Sequence, residues 1–134
     1  MTDDYLEGIR NSDTLKAQRR QLAQDVIVNA YESGMLAQNG EVTQYEWDDD
    51  SVSARVTIIY DDCGLEQRQY YVTQGTIVAC LKRMYEDPLA HKAVGEQQLQ
   101  KYIAAYIVPD DADLDAIDCD MLFQLATIGE YTFA

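Results

Sequence analysis

Basic residues are scarce in this chain. Twenty-four Asp and Glu stand against only ten Lys and Arg, which gives a formal net charge of −14 at pH 7. A small soluble domain needs a net charge of only about 2–8 in magnitude to stay in solution, and the excess acid repels itself and opposes folding. Nucleic acid and anionic membranes carry charge of the same sign. We therefore do not expect the protein to bind either of them directly.

Residues that carry common enzyme or metal chemistry are also few. His91 is the only histidine, and the three cysteines, Cys63, Cys80 and Cys119, form no CxxC pair. An odd number of cysteines is typical of reduced thiols in the cytoplasm, and a four-ligand zinc site would need all three together with His91. The seven glycines are isolated, so there is no glycine-rich phosphate loop. We therefore predict no metal and no cofactor.

Long apolar runs are absent as well. No stretch approaches the roughly 18 consecutive apolar residues of a membrane span. The N-terminal Met-Thr-Asp-Asp-Tyr has neither the basic nor the apolar region of a secretory signal. We therefore expect a cytoplasmic protein without membrane contact. The 134 residues, of which 47% are hydrophobic, are enough for one domain over 1–134.

What is present predicts an α+β fold. Residues 13–38 carry apolar side chains at helical spacing, and three strands follow at 41–47, 51–60 and 65–73. Short connections between the strands predict a three-stranded antiparallel meander. Three to four C-terminal helices would then pack on one face of the sheet, at 76–86, 88–95, 96–108 and from Asp118 or Asp120 to Gly129.

Aromatic residues concentrate on the predicted sheet. They have two interpretations, because cross-strand aromatic pairs stabilise sheets and Tyr and Trp are also frequent at binding hot spots. Packing is favoured over an aromatic recognition face. The residues concerned are Tyr45, Trp47, Tyr60, Tyr70 and Tyr71.

The segment 110–120 holds six Asp and is the strongest local candidate for a site. Acids at 111, 113 and 115 match the first three ligand positions of a calcium-binding EF-hand loop, but Ala116 replaces the turn Gly and Leu122 the bidentate Glu. Weak divalent-cation binding is left open. The alternatives are a connection whose acids cap the next helix and a binding surface.

Acid clusters between apolar runs favour a folded body that binds a basic protein. We predict a non-enzymatic inhibitor that blocks a basic, nucleic-acid-handling partner or nuclease in the manner of a DNA mimic. Phage and mobile-element inhibitors of CRISPR and restriction systems work in this way, and the likeness to them is in size and charge only. The predicted partner-binding residues are Asp48, Asp49, Asp50, Asp61, Asp62, Asp110, Asp111, Asp113 and Asp115.

Two other functions stay open from the sequence. One is an immunity or antitoxin protein that neutralises a basic toxin by the same electrostatics. The other is a small enzyme or ligand-binding domain that uses His91 or a cysteine such as Cys80, since catalytic partners need not be adjacent in the chain. Association of two copies through an edge of the small sheet is compatible with all three functions.

Overall fold

The computed structural model describes residues 2–32, 40–47, 52–59 and 67–127, with the side chains of 13–32, 45–46, 69–91 and 94–127 among them. A long helix begins the chain, and three strands follow it: α1 (Thr2–Glu32), β1 (Gly40–Trp47), β2 (Val52–Ile59) and β3 (Gln67–Thr73). Three helices come next: α2 (Gln74–Glu86), α3 (Glu96–Ile107) and α4 (Ala116–Thr127). Turns of 3-10 helix at Pro88–Val94 and Pro109–Asp111 connect them. Within these ranges no helix has both the length and the hydropathy to cross a membrane.

The backbones of the strands pair in the order β1-β2-β3, and both pairs are antiparallel. The β1–β2 register shifts between Val42 and Gln44, whereas β2 and β3 pair evenly from Ser53–Thr73 to Ile59–Gln67. The strands make few contacts with the helices, and those few come mainly from β2 to α1 and from β3 to α2. Val72 of β3 nevertheless belongs to the buried hydrophobic cluster, and Tyr45 of β1 and Tyr70 of β3 pack against it.

The fold class predicted from the sequence is wrong. Helical residues make up 82% of those whose side chains are described, and strand residues among them are confined to two short stretches, 45–46 and 69–73. The described chain is therefore mostly helical and is not an α+β domain with helices packed on a meander. Alternation along a segment predicts a strand, but it does not reveal whether the helices bury their apolar faces on that strand or on one another.

The hydrophobic core lies between the helices. α1 packs against α4 and α2, and α2 packs against α3. Each helix has apolar residues that pack against the neighbouring helices. Of the described strand residues only Val72 is fully buried. The largest fully buried helix residues are Ile27, Ile77, Leu81, Met84, Tyr102, Leu122 and Phe123.

Helix boundaries follow local chemistry. Thr73 caps α2, because its Oγ1 accepts the N–H of Thr76 at 3.4 Å and its own N–H donates to Thr76 Oγ1 at 3.1 Å. α3 ends at Ile107, one residue before the predicted end at 108. Pro109 prevents the helix from continuing. The predicted helix at 88–95 is a 3-10 turn. α1 begins well before the predicted residue 13, and its predicted end at 33–38 lies outside the described residues.

Candidate functional site

Between Lys16 and Asp25, helix α1 has basic residues on one side and an acidic residue on the other. Lys16 and Asp25 are nine residues apart, which is two and a half turns at about 100° per residue. Arg19 and Arg20 fall on the Lys16 side, because three and four residues bring the helix back to the same face. A groove runs along each side of α1, lined by Lys16 on one side and Asp25 on the other.

The Asp25 side faces the connection between α3 and α4. Together they form a groove of about 380 Å³, lined by Asp25 and its neighbours on α1 and by Pro109, Asp110 and Ala112. Asp25 itself is oriented by Gln21, whose Nε2 donates to Asp25 Oδ1 at 3.1 Å. We call the five exposed carboxylates of this region the acidic seam: Asp25, Asp110, Asp111, Asp113 and Asp115.

The acidic seam carries surplus negative charge. Among the described side chains, none of its five carboxylates takes part in an ion pair. The pKa of Lys101 is raised, first by its hydrogen bond to Asp118 and further by the charges of Asp118, Asp115 and Asp113. Lys101 is thus close enough to interact electrostatically with the seam, but its ammonium group forms an ion pair with Asp118. The field of the seam is therefore available to a cationic group from outside.

Asp115 also starts helix α4. Its Oδ1 accepts the N–H of Asp118 at 2.8 Å, and its own N–H donates to Asp118 Oδ2 at 3.0 Å. This reciprocal pair satisfies two backbone donors at the beginning of the helix, as a capping box does. Helix capping, the alternative interpretation of the Asp-rich segment, therefore holds for Asp115. Asp110, Asp111 and Asp113 make no such side-chain bond to the described part of the chain.

Asp118 anchors the seam to α3. It is 5% exposed, its Oδ1 accepts from Gln98 at 2.7 Å, and its Oδ2 accepts from Lys101. Tyr102 donates its hydroxyl to the Asp118 carbonyl at 2.6 Å. Burial acts to raise the pKa of Asp118, but bonds from Lys101, the Asp115 N–H and Gln98 outweigh it, and the pKa is lowered. The carboxylate is therefore ionised and fixes the position of the segment before it.

Asp120, two residues further along α4, lies in the opposite environment. It is 3% exposed, and its Oδ2 accepts from Gln124 at 2.9 Å. Its Oδ1 has no hydrogen-bond partner in the described structure. Burial raises the pKa of Asp120, and the Gln124 bond only partly opposes this. A charge at this position therefore opposes folding at neutral pH.

Replacing Asp120 by Asn should raise the free energy of unfolding by about 1 kcal/mol at pH 7, because a buried negative charge is removed. The folded-state pKa lies above the unfolded value, so wild-type stability falls as pH rises between the two. The gain of the D120N variant should therefore shrink as pH falls toward about 4. Urea unfolding at a series of pH values measures it, and a D120N variant less stable than wild type at pH 7 would contradict the assignment.

The structure brings some predicted site residues together and leaves others unplaced. Asp110, Asp111, Asp113 and Asp115 share one exposed connection, as predicted. The other predicted partner-binding residues, Asp48, Asp49, Asp50, Asp61 and Asp62, lie outside the described residues. Asp25 was missed, because it is a single acid in a long helix. Its position on the side of α1 opposite Lys16 is a usable signal, but nothing in the sequence tells which connection passes beside it.

Of the residues considered for catalysis, His91 lies apart from the seam, Cys80 and Cys119 are buried, and Cys63 lies outside the described residues. Nδ1 of His91 is 2.9 Å from the carbonyl oxygen of Asp87 in its own turn. Burial raises the pKa of the Cys80 thiol, despite Arg83, and that of Cys119 to about 11. Activated cysteines have a lowered pKa, so neither thiol has the chemistry of a nucleophile. Within the described ranges, no three potential metal ligands gather in one place.

Comparison with known proteins identifies no relative. No protein-family model matches the chain, and no curated protein or solved structure matches it either. The function must therefore be inferred from the residues themselves.

Proposed function

We propose that this protein binds a basic protein partner through the acidic seam. The observation that carries the proposal is the surplus of exposed carboxylates in one region that no described cation neutralises. Clustered carboxylates focus the electrostatic field and speed the encounter with a cationic surface. They also repel nucleic acid and anionic lipid, so the surface favours a protein.

The groove beside the seam offers a space for a side chain of the partner. Asp25 and Asp110 border a space of about 380 Å³ that also has the polar side chains of Thr14, Gln18 and Gln21. An Arg or Lys side chain of the partner could enter it and receive charge-assisted hydrogen bonds, and a guanidinium can bind a carboxylate in bidentate fashion. The Asp115–Asp118 cap fixes the segment that carries the seam. Less conformational entropy is therefore lost when a partner binds.

In this proposal the partner is a cytoplasmic protein that handles nucleic acid, and binding is inhibitory. A surface that binds nucleic acid is built for a dense row of negative charges, about one per 1.7 Å of duplex. A rigid body with clustered carboxylates can occupy that surface and block it. An immunity or antitoxin protein would use the same contact, and the identity of the captured partner distinguishes the two.

Charge reversal in the seam tests the proposal. The triple variant D110K/D111K/D113K should associate with the partner at least tenfold more slowly than wild type, because rim charges act mainly on the association rate. Asp115 is left unchanged because it caps α4. Proteins captured from host extract on immobilised wild-type protein would be identified by mass spectrometry, purified, and measured by surface plasmon resonance at low and high salt.

The matched control reverses three exposed acids outside the seam, Asp13, Asp87 and Glu96. It has the same net charge as the seam variant and should keep near wild-type association, apart from the general effect of net charge. Equal slowing in both variants would mean that binding follows net charge alone. A partner retained by the seam variant, or an affinity that does not fall with salt, would also overturn the proposal.

A further inference from the structure

A second groove lies on the opposite side of α1 from the acidic seam and is basic. It has a volume of about 820 Å³ and runs between α1 and the first turns of α2. Of the six Lys and Arg whose side chains are described, four line it: Lys16, Arg19, Arg20 and Lys82. Among the described residues that line it, Glu46 is the only one with a carboxylate. A concentration of cations on a chain of net charge −14 is opposite to what its composition would give by chance.

Arg19 is held in place for binding. Its Nε donates to the carbonyl oxygen of Tyr106 at 2.8 Å, and its guanidinium carbon lies 3.7 Å above the centre of the Tyr106 ring. Both contacts fix the plane of the guanidinium and leave its two terminal nitrogens for another acceptor. A fixed guanidinium binds phosphate or carboxylate with little loss of side-chain entropy.

The N-terminus of α2 borders the same groove. Thr73, the cap of the helix, and Gly75, in its first turn, both line the groove. Gly75 has no side chain to cover its N–H, and the positive end of the helix dipole favours an anion there. Gln74 donates from Nε2 to the Arg20 carbonyl at 3.1 Å, which ties the start of α2 to α1. The cations of α1 and the donors of α2 therefore keep a constant spacing.

Apolar and aromatic residues also line the groove. Val78 and Ala79 contribute apolar side chains, and Tyr71, which is 55% exposed, borders it as well. Small-ligand sites have volumes of about 300–1,000 Å³, and a mostly apolar lining with a few placed polar groups. The volume is far larger than a phosphate ion needs. The lining therefore fits a ligand with an anionic end and a flat apolar body.

We propose that this groove binds a phosphorylated aromatic small molecule of nucleotide size. Arg19, Lys16 and the N–H of Gly75 would take the phosphates, and Tyr71 would stack on the ring. The site is independent of the acidic seam, because the two lie on opposite sides of α1. Each can therefore be removed without the other. Longer nucleic acids are disfavoured, because the net charge of −14 repels them.

Isothermal titration calorimetry at 150 mM salt tests the proposal with ATP, adenosine, inorganic phosphate and a single-stranded oligonucleotide as probes. ATP should bind at least tenfold more tightly than adenosine or phosphate alone, because only ATP uses both ends of the groove. The R19Q and K16Q variants should each weaken ATP binding fivefold or more. R83Q, which removes a neighbouring charge that does not line the groove, should change it less than twofold.

Gly75→Ala gives a variant that should fold and still fail to bind. A Cβ at this position would meet Thr73 Oγ1 at 3.6 Å, which is ordinary contact, and alanine favours a helix. The variant should keep or raise the melting temperature while it weakens ATP binding, because the methyl group covers the backbone donor. Absence of ATP binding to wild type, equal loss in R83Q and R19Q, or tighter binding of the oligonucleotide than of ATP would each overturn the proposal.

Discussion

Replacing Phe123 by Ala should lower the free energy of unfolding by about 3–5 kcal/mol, the usual cost of removing a buried aromatic side chain. Phe123 is 1% exposed and belongs to the hydrophobic cluster formed by residues of all four helices. The variant loses the burial of the ring and leaves a cavity, because close-packed helices relax only in part. Urea unfolding followed by circular dichroism at 222 nm measures the loss.

Ile117→Ala is the matched control on the same helix. Its side chain is 54% exposed, so its truncation should cost no more than about 0.5 kcal/mol. If Phe123→Ala and Ile117→Ala cost the same, the helix-on-helix core would not be what stabilises the domain. A large difference between them supports a fold held by packing of α4 against α1 and α2.

Replacing Asp118 by Asn should lower the free energy of unfolding by about 2 kcal/mol at pH 7, because charge-assisted hydrogen bonds in a buried site are lost. The pKa of Asp118 is lowered in the folded protein. Its stabilisation is therefore fully present above the unfolded pKa of about 4 and is lost as pH falls through the folded value. The deficit of the D118N variant should shrink on acidification.

Asp118 and Asp120 form a matched pair for this test. The same Asp→Asn change, two residues apart on one helix, should destabilise at the first position and stabilise at the second. Both effects should decrease toward acid pH, because both carboxyls are then protonated in folded and unfolded chains. The same sign for both variants at pH 7 would contradict the opposite pKa directions given by their surroundings.

Individual helices and strands could be predicted from the sequence, but how they pack on one another could not. The apolar spacing of residues 76–86 and 96–108 identifies α2 and α3 within a residue or two, because helical period and Pro109 act locally. Alternation identifies the segments of β1, β2 and β3 in the same way. Whether helices cover a sheet or one another depends on contacts between distant segments. Periodicity carries no information about those contacts, so the fold class was wrong.

The candidate site likewise has features that can be predicted from the sequence and features that depend on packing. The run of Asp at 110–115 is visible in the sequence, and so are both its capping and binding interpretations. The pairing of Asp118 with Lys101, 17 residues away, depends on how α4 packs on α3. The opposite environments of Asp118 and Asp120 also cannot be distinguished in the sequence, where both are only candidates to start a helix. Asp25 joins the seam solely because the connection passes beside α1.

In the proposed function, the acidic seam is the surface that binds a cationic partner. Amide chemical-shift mapping of the full chain titrated with octa-arginine at 150 mM salt tests it most directly. We expect the largest shifts at residues 110–115 and around Asp25, and their loss in D110K/D111K/D113K but not in the control with Asp13, Asp87 and Glu96 reversed. Largest shifts at 48–50 and 61–62, with the amides of the acidic seam unmoved, would contradict it.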